Sequence, residues 1–307
     1  MNNPGSARNR RHPSIARRLR ALVRDDGELR DASTPEELSR ALAAFRAARI
    51  DLLGVNGGDG TVHQVLTALV RTWGDGPLPR LALLRGGAMN TVANGSGVRG
   101  RPERILREVL ARRRSGAPLR TIERDLLRVS ADGGEPRYGF IFGTGCVVSF
   151  LEAYYGSGHP SPATAALLFA RALGSALAGG HFAAALARRE RLRVETDGEE
   201  WPDASFLALA AATTPDIGFG FRAFHRCDEQ PGFFHAVGVT GSLPALALSV
   251  PRMRRGASWR RRVAQDEVAR TLQAEGDRPR FTVDGDLYRA ERAVVVDTGP
   301  GVEIVVP

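Results

Sequence analysis

Five consecutive residues, Gly57-Gly58-Asp59-Gly60-Thr61, follow a short apolar run of Ile50, Leu52, Leu53 and Val55. After them Val62, Val65, Leu66, Leu69 and Val70 recur at helical spacing. This strand–loop–helix order puts glycines where the chain must turn tightly and where backbone N–H groups can approach a phosphate. The helix N-terminus behind the loop adds a field that favours an anion. Asp59 would be repelled by bare phosphate, so it suits either a bridging divalent cation or a role in ordering the loop. An ordinary glycine-rich turn is the plain alternative. A second candidate is Asp284-Gly285-Asp286. In an extended stretch residues two apart point to one side. The two carboxylates could then divide proton abstraction from orientation or metal binding. Asp-Gly is equally a hairpin-turn signal. Arg85, directly before Gly86-Gly87, could offer its guanidinium to phosphates or simply end a strand.

Composition narrows the chemistry. The chain has no lysine, so its net charge of +9 comes entirely from arginine. That excludes a P-loop lysine, a Schiff-base lysine, the strand lysine of protein kinases and a Ser-Lys dyad. Cys146 and Cys227 lie far apart, which argues against a zinc site or a disulfide scaffold and fits a reduced, cytoplasmic setting. His159, His181, His225 and His235 show no metal-ligand spacing and read as structural. His63, on the helix after the glycine loop, reads as solvent-facing.

The elements that must position these residues follow from periodicity. Ile15, Leu19 and Leu22 recur at helical spacing among arginines. Thr34-Pro35-Glu36-Glu37 is a helix start, with Thr34 as cap and Glu37 completing a capping box. A strand at 81–84 leads into Gly86-Gly87, and a helix at 102–113 follows. Alternating helix and strand to about residue 120 predicts an α/β domain with a mostly parallel sheet and ligand loops at the strands' carboxyl ends. From about residue 125 the texture changes. Short strands are predicted at 126–130, 138–142, 191–196, 206–211, 233–239, 280–283, 293–296 and 302–306. The expected domains are 1–122 and 123–307, the second β-rich with inserted Ala-rich helices. The apolar run at 163–187 carries Arg171 and His181, and reads as one or two buried or half-buried helices. Six arginines from Arg252 to Arg262 surround Trp259. They read as a solvated helix face or as a patch that meets anionic lipid. No nucleic-acid module accompanies the charge, so no nucleic-acid partner is expected.

Read in order, the motifs resemble those of the diacylglycerol kinase catalytic-domain superfamily. That group includes bacterial lipid kinases and sphingosine kinases, with NAD kinases more distant. Asn3-Pro4-Gly5-Ser6 is similar to its first nucleotide loop, and residues 57–61 to its signature phosphate loop. Gly87-Ala88-Met89-Asn90-Thr91, Asp125 and Val283-Asp284-Gly285-Asp286 match later motifs. The resemblance implies an α/β N-terminal domain and a β-rich, sandwich-like C-terminal domain, with ATP and Mg²⁺ in the cleft between them. It implies that Asn3, Pro4, Ser6, Gly57, Gly58, Asp59, Gly60, Thr61, Gly87 and Asn90 hold ATP. By the same resemblance Asp59 and Asp125 act through Mg²⁺, and Asp284 or Asp286 is the base. The expected activity is phosphorylation of a hydroxyl on a diacylglycerol-like or sphingoid lipid, at the inner face of the membrane. A catalytically decayed lipid- or nucleotide-binding protein and an NAD kinase are the alternatives.

This chain departs from the pattern at several positions. Ala88 stands for Thr, Thr91 for Asp, Asp286 for Glu and Ala7 for Gly, while His63 and Gln64 replace Asn and Glu. Gln230-Pro231-Gly232-Phe233 lacks the acid of a structural metal motif found in some relatives. The family places an apolar strand before Asn-Pro, yet only Met1 and Asn2 precede Asn3. A central strand is therefore expected to be missing, with poor solubility as the consequence.

Overall fold

The computed structural model describes residues 1–158, 161–218 and 220–307; His159 lies outside them. The chain divides into two units, Met1–Arg124 with Pro300–Pro307, and Asp125–Gly299. The eight C-terminal residues thus belong to the first unit and not to the second, where the sequence reading put them.

The first unit runs α1 (Ala7–Arg11), α2 (Ser14–Val23), α3 (Pro35–Ala47), β1 (Leu52–Val55), α4 (Asp59–Trp73), β2 (Arg80–Leu83), α5 (Thr91–Gly95) and α6 (Pro102–Arg114). Helix α3 starts as its capping residues predict. Thr34 Oγ1 accepts the N–H of Glu37, and Glu37 reaches back to the N–H of Ser33. Helix α2 buries Ile15 and Leu19, and α4 buries Val62, Val65, Leu66 and Leu69. His63 is buried too, at 1% exposure, against the expectation of a solvent-facing residue. Strands β1 and β2 pair in parallel from Leu52↔Arg80 to Val55↔Leu83, and Ile304 of the returning C-terminus pairs in parallel with Leu81.

The expected gap in the sheet is filled. Asn2 forms parallel bridges to both Asp31 and Asn56. Its N–H donates to Arg30 O at 2.8 Å and its carbonyl accepts from Ala32 N at 2.9 Å. On the other side Asn56 N donates to Met1 O and Asn3 N to Asn56 O. A stub of three residues therefore satisfies the backbone groups that a missing strand would have left unpaired.

Two long strands cross from one unit into the other. The first, β3 (Thr121–Ala131), leads into the second unit. There follow β4 (Arg137–Gly139), β5 (Ile141–Thr144), α7 (Cys146–Gly156), α8 (Pro162–Leu177) and α9 (His181–Leu186). Next come β6 (Glu190–Arg191), β7 (Arg193–Thr196), β8 (Glu199–Glu200), β9 (Ser205–Phe206), β10 (Ala208–Ala212), β11 (Phe234–Val239) and α10 (Leu243–Arg254). Last are β12 (Ala264–Ala269), β13 (Thr271–Glu275), β14 (Arg280–Val283), β15 (Asp286–Arg289) and the second long strand, β16 (Ala293–Val305). A six-stranded antiparallel sheet has the order β12-β11-β10-β5-β14-β15. It packs on the strands that include β7, β13 and the first part of β16. Between them Phe142, Leu209, Phe234 and Phe281 meet Val194, Leu272, Val294 and Val296 in a dry core, as the alternation of a sandwich requires. The N-terminal α/β and C-terminal β-rich architecture is the one expected. Strands β8, β12, β13 and β15 were not, and β16 is one strand where two were predicted. Among the described residues no helix is long and apolar enough to cross a membrane.

Candidate functional site

In the first unit the chain start, the end of β1 and the end of β2 meet. Asn3 is the hinge of the cluster. Its Nδ2 donates to Thr61 Oγ1 at 2.8 Å, and its Oδ1 accepts from Gly5 N at 2.8 Å. Ser6 Oγ donates to the carbonyls of Asn3 and Gly86, each 3.0 Å away. Arg8 N donates to Gly86 O as well. Pro4 sits in the exposed turn alongside. Beneath, three asparagines that sequence reasoning missed, Asn2, Asn9 and Asn56, form a buried network. Asn56 Nδ2 donates to Asn2 Oδ1 at 2.7 Å and to Asn9 Oδ1 at 3.0 Å. Amide side chains carry both donor and acceptor, so one network can satisfy loops that arrive from three places in the chain.

The two glycine loops touch backbone to backbone. A Cβ on Gly87 would stand 2.2 Å from Gly58 Cα, and one on Gly57 would stand 2.3 Å from the Thr61 side chain. Only glycine permits this approach, which leaves peptide groups and no side chains along the seam. Helix α4 begins at Asp59, two residues before the expected loop ends, with Gly58 as its N-cap. Asn90, in the left-handed region at φ 52°, closes the second loop. Its Oδ1 accepts from Gly87 N at 2.9 Å and its Nδ2 donates to Gly87 O at 3.1 Å.

Asp59 also ties the two loops together. Its Oδ1 accepts the N–H of Val92 at 3.1 Å, so its carboxylate caps α5. Withdrawal from water pushes this carboxyl above its ordinary range, and the N–H groups of Thr91, Val92 and Asn90 oppose that rise. Arg85 is committed as well. Its Nη atoms donate to Gly100 O and Asn94 Oδ1, at 2.9 and 2.8 Å, and its Nε is buried without a partner. Desolvation, then the nearby charges of Arg8 and Arg99, lower its pKa. The three guanidinium groups give this unit a positive local field.

In the second unit Asp284 and Gly285 are the two central residues of the β14–β15 turn, at φ 48° and 96°, with Val283 paired to Asp286. This is the hairpin that Asp-Gly favours. The Asp284 carboxylate is 6% exposed, and its Oδ1 accepts from Phe140 N at 3.1 Å and Ile141 N at 2.9 Å. Asp286 is half-buried at the head of β15. Tyr155 Oη donates to Gly285 O at 3.1 Å, and Arg137 stacks on the Tyr288 ring. Burial first, then the charge of Asp286, raise the Tyr288 pKa. Gly139, also missed, allows the approach, since a Cβ there would sit 2.6 Å from Asp284 Oδ2.

Asp125, expected to act through Mg²⁺, stands at the start of the second unit. Its Oδ2 accepts from Gly232 N at 2.8 Å, which ties β3 to the loop that lacks the metal-motif acid. Among the described residues no three His, Cys, Asp or Glu side chains converge as a metal site. One oxygen of each carboxylate expected to act through Mg²⁺ is held by a backbone N–H group, Asp59 Oδ1 by Val92 and Asp125 Oδ2 by Gly232.

Comparison with known proteins agrees with this geometry. Residues 1–120 match the family described as "Diacylglycerol kinase catalytic domain". Three solved structures from Bacillus anthracis str. Sterne, assigned as diacylglycerol kinases, share the fold. One is 16% identical with a TM-score of 0.69, covering 99% of this chain and 94% of its own. Another is 15% identical with a TM-score of 0.68, covering 99% and 95%. The third is 13% identical with a TM-score of 0.64, covering 99% and 94%. No curated protein matches the chain. The paired glycine loops thus lie inside the stretch, residues 1–120, that matches the diacylglycerol kinase catalytic domain its motifs resemble.

Proposed function

We propose that the protein is an ATP-dependent kinase that phosphorylates a hydroxyl group of a diacylglycerol-like or sphingoid lipid. The observation that carries this reading is the backbone contact of Gly58 with Gly87 inside the matched domain. It makes a side-chain-free cradle at the carboxyl ends of β1 and β2, the place where parallel sheets bind nucleotides. Asn3, Ser6, Thr61 and Asn90 hold that cradle in shape through the hydrogen bonds described above. Phosphoryl transfer asks mainly for positioning and charge compensation, and backbone N–H groups with the Arg8–Arg85–Arg99 field supply both. Mg²⁺ enters this reading only with ATP, as part of the MgATP substrate.

In this reading the base comes from the 284–286 turn. Asp284 is spent on the N–H groups of Phe140 and Ile141 and fixes the turn. Asp286 takes the hydroxyl proton while the lipid oxygen bonds to the γ-phosphorus, the bond from that phosphorus to the bridging oxygen breaks, and ADP leaves.

The test is incubation with γ-labelled ATP, Mg²⁺ and mixed micelles of diacylglycerol, sphingosine, ceramide and phosphatidylglycerol, with NAD in a parallel tube. The expected result is label in the organic phase, lost in Asp286→Asn while MgATP binding remains. ATP binding without label would replace this reading by the decayed, binding-only one, and NADP formation would replace it by NAD kinase.

A further inference from the structure

Helix α8 is apolar on the side that nothing covers. Its packed side buries Ala165, and there Leu173 and Ala176 meet Ala183 of α9 and Leu243 and Ala247 of α10. Its solvent side carries Ala163, Ala166, Leu167, Ala170, Gly174 and Leu177, with Arg171 the one charge. Surface helices ordinarily show the reverse pattern. The neighbouring helix α10 repeats it with Pro244, Leu248 and Pro251 exposed. Leu167 is 72% and Leu248 69% exposed, the two most exposed large apolar side chains among the described residues.

Charge says what covers this face. No aspartate or glutamate occurs from residue 153 to residue 189, or from residue 230 to residue 265. The α10 stripe runs on into Arg255, and Arg252, Arg254, Arg260, Arg261 and Arg262 surround it. Among the described residues none of these six forms an ion pair. A protein partner would need its own acidic groups placed to match. An anionic bilayer offers a continuous apolar interior beneath a negative surface, which matches apolar stripes bordered by arginine alone.

We infer that α8 and α10 form a membrane-docking face, in which Leu167, Leu177 and Leu248 enter the acyl region of an anionic lipid surface while the arginines from Arg252 to Arg262 meet its headgroups. This docking does not depend on nucleotide or on phosphoryl transfer.

The test is co-sedimentation of the full chain, without ATP, with vesicles of phosphatidylcholine alone or mixed with phosphatidylglycerol. The expected result is binding to the mixed vesicles that declines as salt rises. The pair Leu167→Asp and Leu248→Asp, and separately the pair Arg254→Glu and Arg255→Glu, should each weaken partition about tenfold or more with unchanged thermal melts. Leu248→Ile should bind as the parent does. Equal binding to both compositions, no binding to either, or variants that bind like the parent would overturn the inference. So would a dimer in sedimentation velocity that Leu248→Asp dissolves, because the face would then belong to a second copy. Since no ATP is present, failure here is separable from failure of the kinase reading.

Discussion

Asp59 Oδ1 accepts the backbone N–H of Val92 at 3.1 Å, a bond between the first residue of α4 and the second residue of α5. It locks the two glycine loops together from behind. Asp59→Ala removes a helix cap and should lower stability by about 1 kcal/mol in urea unfolding, whereas Asp59→Asn keeps an acceptor and should cost a few tenths.

The same carboxyl carries a pH signature. Its folded pKa lies above the ordinary value of 3.8. Between those two values the folded state holds more protons than the unfolded one, so this group's contribution falls as pH rises from about 4 upward. Asp59→Asn should remove that fall. Unfolding free energies of parent and variant compared across this range check it; parallel curves would show that the buried carboxyl does not titrate as described.

Gly87→Ala forces a methyl carbon against Gly58 Cα, and since both partners are backbone the loops must part. Overpacking of this kind costs about 1–3 kcal/mol. The effect on MgATP affinity, read by calorimetry, should exceed the effect on stability, because the cradle opens before the core does. Gly27→Ala, which meets nothing within 4 Å, is the matched control and should change neither.

What sequence could reveal here divides by range of interaction. The Thr34 cap, the glycine loops and the Asp-Gly turn are local, and local chemistry dictates them. The Asn2–Asn9–Asn56 network depends on the chain start lying between Asp31 and β1, a relation that no short window contains. Strand β12 was missed because Gln265, Asp266 and Glu267 hide its alternation. Asp266 is held by His235 and Arg226, long-range partners that let a charged residue sit in a sheet. Which side of half-buried α8 stays uncovered was not legible for a related reason. Apolar composition signals that a surface wants covering, but whether protein covers it is set by elements distant in sequence.

Asp284 separates anchoring from catalysis. Its Oδ1 accepts both N–H groups and its Oδ2 shares that of Phe140 at 3.1 Å, so asparagine keeps the oxygen that serves both, and it tolerates the left-handed backbone at φ 48°. Asp284→Asn should therefore fold with nearly parental stability, while Asp284→Ala loses the acceptor, strains the turn and costs about 1–3 kcal/mol. With Asp286 as base, Asp284→Asn should keep most of the label transfer that Asp286→Asn loses. Transfer abolished by Asp284→Asn at normal melting temperature would move the base to Asp284.

His225 and His235 supply the last prediction. Their rings stand edge to face at 5.1 Å, and His235, fully buried, has its Nε2 2.9 Å from Asp266 Oδ2. Desolvation, followed by the charge of His235, holds the His225 pKa below its ordinary 6.5. A base whose folded pKa is depressed stabilises the fold as the neutral ring, and that contribution is lost once pH drops below the unfolded value. The melting temperature should hold above pH 6.5 and decline below it. In His225→Gln, which cannot take a proton, the decline should be shallower. A variant that declines as steeply as the parent would place the acid sensitivity elsewhere in the chain.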